Sequence, residues 1–124
     1  MSDFPIVMVG VTTPVTLYRG CHGREMSHLI DAMRSNYELG IAPHPAARRA
    51  IALFMAVSMF EDVDVVRRNA QRRPDRIGTH LATVELRPGL GICRADTASR
   101  GHWSIWGLPG QLAECVVDVI PIDL

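Results

Sequence analysis

Between residues 81 and 122 the chain alternates short β-prone runs with tight breaks, and this pattern constrains the fold more than any other feature of the sequence. The runs are residues 81–86, 90–94, 103–106 and 115–122, separated by Pro88-Gly89, Ser99-Arg100-Gly101 and Leu108-Pro109-Gly110. The first half is patterned differently. Residues 15–19 are apolar and β-prone, preceded by Pro14 and followed by Gly20, which predicts a first core strand. Met26, Leu29, Ile30, Met33 and Tyr37 recur at helical spacing and predict a helix over 24–37. Beyond Pro43 and Pro45, residues 46–54 read as helical and 54–58 as a short strand. Phe60, Val63, Val66 and Ala70 predict a further helix that ends before Pro74. Helices come early and strands late, an α+β order rather than a βαβ series.

Composition bounds what such a fold can do. With 124 residues, 48% hydrophobic and 21% charged, the chain is of ordinary globular character, and residues 1–124 are expected to form a single domain. The formal net charge is zero, which excludes a global attraction to nucleic acid or anionic lipid. All thirteen basic residues are Arg, in keeping with GC-rich, bacterial coding. The cluster Arg67, Arg68, Arg72, Arg73 and Arg76 is offset by Glu61, Asp62, Asp64 and Asp75, and reads as a solvated helix face. Cys21, Cys93 and Cys115 form no CxxC, and the five histidines show no HExxH, so neither a disulfide framework nor a metal is expected. No run approaches the ~20 apolar residues that cross a bilayer, and no leader pattern opens the chain. A cytoplasmic location without membrane contact is the expectation.

Three polar residues stand where apolar strands do not need them: Arg19 at the end of the first strand, Ser58 after Met55-Ala56-Val57, and Glu114 entering Cys115-Val116-Val117. Each also has a structural reading. Arg19 could pair with a carboxylate, Ser58 could cap a helix that carries Glu61 three residues later, and Glu114 could be a solvent-facing strand residue. His102-Trp103 follows Gly101 in an expected loop that could border a substrate, although packing also accounts for it.

Taken in order, these residues resemble the Arg-Ser-Glu branch of the ADP-ribosyltransferase superfamily, which includes cholera-toxin-like and pierisin-like enzymes. The matching features are Leu17-Tyr18-Arg19, Val57-Ser58 leading into Phe60-Glu61-Asp62, Thr83-Val84-Glu85-Leu86 with Pro88-Gly89, Asp96-Thr97, and Glu114 before a β-prone run. The resemblance implies a compact split β-sheet with N-terminal helices, and a substrate, NAD, cleaved between nicotinamide and ribose through an oxocarbenium-like transition state. It implies that Glu114 stabilises that charge, that Arg19 offers its planar donor fork to the dinucleotide and that Ser58 positions the ribose. Tyr18, Gly20, Phe60 and Trp103 are the further expected NAD contacts, with Tyr37, Phe60, Trp103 and Trp106 as rings that could close over nicotinamide. Leu112 stands two residues before Glu114, where arginine-modifying members carry Glu, which disfavours protein arginine as acceptor. A protein, a nucleic acid, a small molecule or water remains open as acceptor. The family includes small bacterial or phage toxins, for which a neutralising protein partner is expected. The competing reading is a non-catalytic transferase-like module that docks a protein or nucleic-acid partner through its Arg-rich helix.

Overall fold

The computed structural model describes residues 8–36, 38–40, 55–96 and 101–123. The strands are β1 (Val9–Gly10), β2 (Val15–Cys21), β3 (Val57–Phe60), β4 (His80–Leu86), β5 (Cys93–Asp96), β6 (His102–Trp106) and β7 (Val116–Pro121). The helices are α1 (Met26–Ala32), α2 (Val63–Arg72), α3 (Pro74–Ile77) and α4 (Pro109–Glu114). Every strand pairing is antiparallel, in the order β1-β5-β6-β3-β2-β4-β7, so the fold is mixed helix and sheet without a parallel crossover.

Pairing is uneven along this sheet. β2 and β4 run together over their full length, from Val15 opposite Leu86 to Cys21 opposite His80. β3 and β6 pair over all four residues of β3. Between these two blocks, β2 and β3 share only Tyr18 opposite Phe60, and the sheet opens beyond that couple on the side of Arg19. Side-chain alternation then sorts residues by face. Leu17 and Cys21 of β2, Ala82, Val84 and Leu86 of β4, and Val57, Met59 and Ile105 join the buried core with Leu29 and Met33 of α1 and Leu112 and Ala113 of α4. The helix α2 lies against β2 and β3 and buries Val66 and Ala70.

Several expectations shift in detail. The first strand extends to Cys21, and the first helix is shorter than 24–37 because it buries only Leu29, with Met33 just past its end, and leaves Met26 and Ile30 exposed. The helix expected over 46–54, the start of the strand expected from 54, and Tyr37, Thr97, Ser99 and Arg100 lie outside the described residues. Ser58 is in β3 and is no helix cap; Asp62 caps α2 instead, its carboxylate accepting from the Asp64 N–H at 2.9 Å. His102 and Trp103 lie in β6, not in a loop. Pro109 opens a helix where a turn was expected, since a proline in the first helical turn gives up no hydrogen bond. Consequently helices and strands interleave: β3 falls between α1 and α2, and α4 between β6 and β7. Among the described residues no helix is long and apolar enough to cross a membrane.

The end of β2 is pressed against the end of α3. A Cβ added to Gly20 would lie 2.5 Å from the Ile77 carbonyl oxygen, while Gly78 combines a φ of 117° with close approach to the Cys21 backbone. Because the obstacle at Gly20 is backbone, Gly20→Ala is expected to destabilise the chain by about 1–3 kcal/mol. The measurement is a lower denaturant midpoint. Gly10→Ala, with nothing within 4 Å of the added carbon, is the comparison and should stay within about 0.5 kcal/mol of the parent.

Candidate functional site

Where β2 and β3 diverge, backbone groups lose their ladder partners, and a long side chain from β2 fills the gap. The Arg19 Nε–H donates to the Ala32 carbonyl at 2.5 Å, and its Nη1 donates to the Ser58 carbonyl at 2.7 Å. The first acceptor is the last residue of α1, one of the carbonyls that a helix end leaves without an intrahelical partner. The second belongs to β3 at the opening. One guanidinium thus ties strand, strand and helix together, using two of its five N–H donors.

Both partners are neutral carbonyls, so Arg19 carries its charge into the fold without a carboxylate beside it. Burial pushes its pKa from 12.5 down to about 10, with Cys21 acting in the opposite direction. The group still holds its proton at neutral pH. Burial likewise pushes the Cys21 thiol up, against a hydrogen bond from Sγ to the Gly23 carbonyl and the neighbouring Arg19. Cys21 is therefore a thiol at neutral pH and no ready nucleophile. Cys115 is also fully buried.

A cleft opens over this junction in two parts, of about 260 and 1230 Å³, both lined by Arg19, Arg34, Phe60 and Arg76. The larger part adds Ser58, Arg72 and Arg73, and among the described residues no Asp or Glu lines it, whereas Asp31 lines the smaller part. Ser58 and His102 are diagonal neighbours across the β3–β6 ladder, within reach for a long side chain. The Ser58 hydroxyl and His102 Nε2 are hydrogen-bonded at 3.0 Å. Phe60 meets the His102 ring edge to face, with centroids 5.1 Å apart. Next to this pair, Trp103 Nε1 donates to Glu61 at 2.9 Å, and the Arg94 guanidinium lies 4.5 Å from the Trp103 ring centroid.

The structure thus brings Arg19, Ser58, Phe60 and Gly20 to one cleft, and it leaves Glu114 elsewhere. Glu114 is the last residue of α4, exposed, and its carbonyl accepts from Arg87 at 3.3 Å beyond the end of β4. β4 lies between β2 and β7, so Glu114 is about two strand spacings, or ~10 Å, to the side of Arg19, and further still along the strand direction. The cause is α4: burial of Leu112 and Ala113 turns the following residue outward. Tyr18, His102 and Trp103 are not among the residues lining the cleft, and His102 reaches it only through the Ser58 hydroxyl. In the position beside Ser58 that the resemblance gives to Glu114 stands His102. Arg34, Arg72, Arg73 and Arg76 are further cleft residues; the sequence reading took the last three for a solvated helix face. Among the described residues no group of three His, Cys, Asp or Glu side chains could hold a metal ion. No protein-family model, curated protein or solved structure matches the chain.

Removing the Arg19 guanidinium while keeping its stem should strand two carbonyls, so Arg19→Met is expected to destabilise the fold by about 2–4 kcal/mol. Ser58→Ala removes one part-buried hydroxyl and should cost about 1 kcal/mol or less. Denaturant unfolding of both variants checks the ranking; equal losses would overturn the view of Arg19 as the tie across the split.

Proposed function

We propose that this chain is a split-sheet protein of the ADP-ribosyltransferase or NAD glycohydrolase kind and takes NAD in the cleft between β2 and β3. The observation that carries the reading is Arg19, a buried cation at the opening of the sheet whose two hydrogen-bond acceptors among the described residues are both uncharged. An anion in the adjoining cleft supplies the missing counter-charge, and a pyrophosphate matches a guanidinium fork. Phe60 offers a ring face for a base, and Ser58, whose hydroxyl is hydrogen-bonded to His102 Nε2 behind it, offers a polar contact to a ribose.

For cleavage, the positive charge that develops on the ribose needs a fixed negative charge nearby. His102 holds the Ser58 hydroxyl, and a neutral imidazole carries no such charge. One observation therefore favours a second reading, binding of the dinucleotide with little turnover: among the described residues, five arginines and no carboxylate line the larger part of the cleft.

Calorimetry with NAD and an assay of nicotinamide release separate the two readings on the same sample. The parent chain is expected to bind NAD, and His102→Ala to weaken binding about tenfold. His102→Glu, which sets a carboxylate beside Ser58, should raise nicotinamide release at least about tenfold above the parent. Absence of NAD binding by the parent chain at millimolar concentration overturns the proposal.

A further inference from the structure

Most cations of a folded protein are matched by a nearby anion or hydrogen-bond acceptor, and several arginines here follow that rule. Arg67 bonds Asp64 at 2.9 Å, Arg87 bonds the Glu114 carbonyl and Arg94 covers the Trp103 ring. In the cleft the pattern breaks. Arg72, Arg73 and Arg76 have no hydrogen bond or ion pair from their guanidinium groups among the described residues, and Arg19 bonds only carbonyls. Only Arg34, across from them, has a carboxylate, Asp31 at 3.3 Å, with which its contact is largely solvent-exposed.

Helix ends explain part of this. Arg72 and Arg76 occupy the last turns of α2 and α3, where a cation offsets the negative end of the helix dipole. That effect asks for one cation per end. It does not explain why Arg73, which sits between the two helices, and Arg34, which follows α1, line the same space. Four guanidinium groups without a carboxylate partner repel one another unless a ligand brings comparable negative charge. The pyrophosphate of a dinucleotide carries about two charges, and a phosphate monoester near neutral pH brings about 1.5–2 more.

We infer that the wall formed by Arg72, Arg73 and Arg76 selects a dinucleotide that bears a phosphate monoester in addition to its pyrophosphate, as NADP does and NAD does not. The inference rests on the proposed dinucleotide site and adds its specificity. Arg19 takes the pyrophosphate beside the split, and the α2–α3 wall takes the monoester. A guanidinium suits this task because its planar fork can donate two hydrogen bonds to one phosphate. The cleft volume of about 1230 Å³ lies above the ordinary range for a small-molecule site, roughly 300–1000 Å³, and leaves room for the added group.

The test is titration of the full chain with NAD, with NADP and with a single-stranded oligonucleotide, in the parent and in Arg72→Gln/Arg73→Gln and Arg76→Gln variants. These side chains are exposed, so the variants should keep the parent's thermal midpoint, which is measured alongside. NADP is expected to bind about tenfold or more tightly than NAD, and the variants to remove most of that difference by weakening NADP more than NAD. Equal affinity for the two dinucleotides overturns the inference and leaves the dinucleotide site standing. Failure of both to bind removes the site itself. An oligonucleotide that displaces NADP and binds more tightly overturns the inference in favour of a nucleic-acid ligand.

Discussion

Arg19 is the interaction on which the arrangement of the molecule depends. The chain builds two well-paired antiparallel blocks, β2-β4-β7 and β1-β5-β6-β3, that meet at a single residue couple. Two blocks so joined share one core and the cover of α2, yet strand pairing is missing where they diverge, and the carbonyls there would lose hydrogen bonds in a part-buried setting. The guanidinium meets both problems by donating to Ser58 on one block and to the end of α1, which packs on the core beneath. A lysine, with a compact ammonium at the end of a flexible stem, lacks the fixed fork that reaches two acceptors in different directions.

Holding the split open by a cation has an electrostatic consequence. The guanidinium is desolvated enough to lower its pKa to about 10, so the fold carries a cost that carbonyl dipoles offset only in part. Anion binding in the cleft relieves that cost. Stability and affinity therefore draw on the same group, and a ligand that reaches Arg19 stabilises the join between the two blocks as well as itself. The close approach of Gly20 to Ile77 works in the same direction, because it brings α3, with Arg76, to the strand that carries Arg19.

The sequence made part of this legible. Period-two alternation and Pro or Gly punctuation located β2, β4, β6 and β7 to within a few residues, and helical spacing located α1 and α2. Arg19 was conspicuous because a charged residue ended an apolar run, and Ser58 because it interrupted one. Glu114 was conspicuous for the same reason and lies apart from both. Local pattern cannot distinguish a carboxylate entering a strand from one closing a short helix, and the Pro109 signal that marks the helix also marks a turn. The pairing of His102 with Ser58 was invisible for a different reason. It depends on the register between β3 and β6, two strands far apart in sequence, and register is a property of the whole sheet.

The arginines read as a solvated helix face, and Arg72, Arg73 and Arg76 are exposed, but the cleft they border was not legible in the sequence. On the helix alone, Arg72, Arg73 and Arg76 stand near Asp75 and look like the balanced charge of a solvated surface. The tertiary fold lines one cleft with Arg19, Arg34 and the end of α2, and among the described residues no carboxylate lines its larger part. A chain of zero net charge thereby concentrates positive potential in one concavity, where low-dielectric walls strengthen it. Net charge measured over a sequence says little about such a site. What matters is which charges line the space that the split in the sheet opens, and among the described residues of its larger part they are all positive.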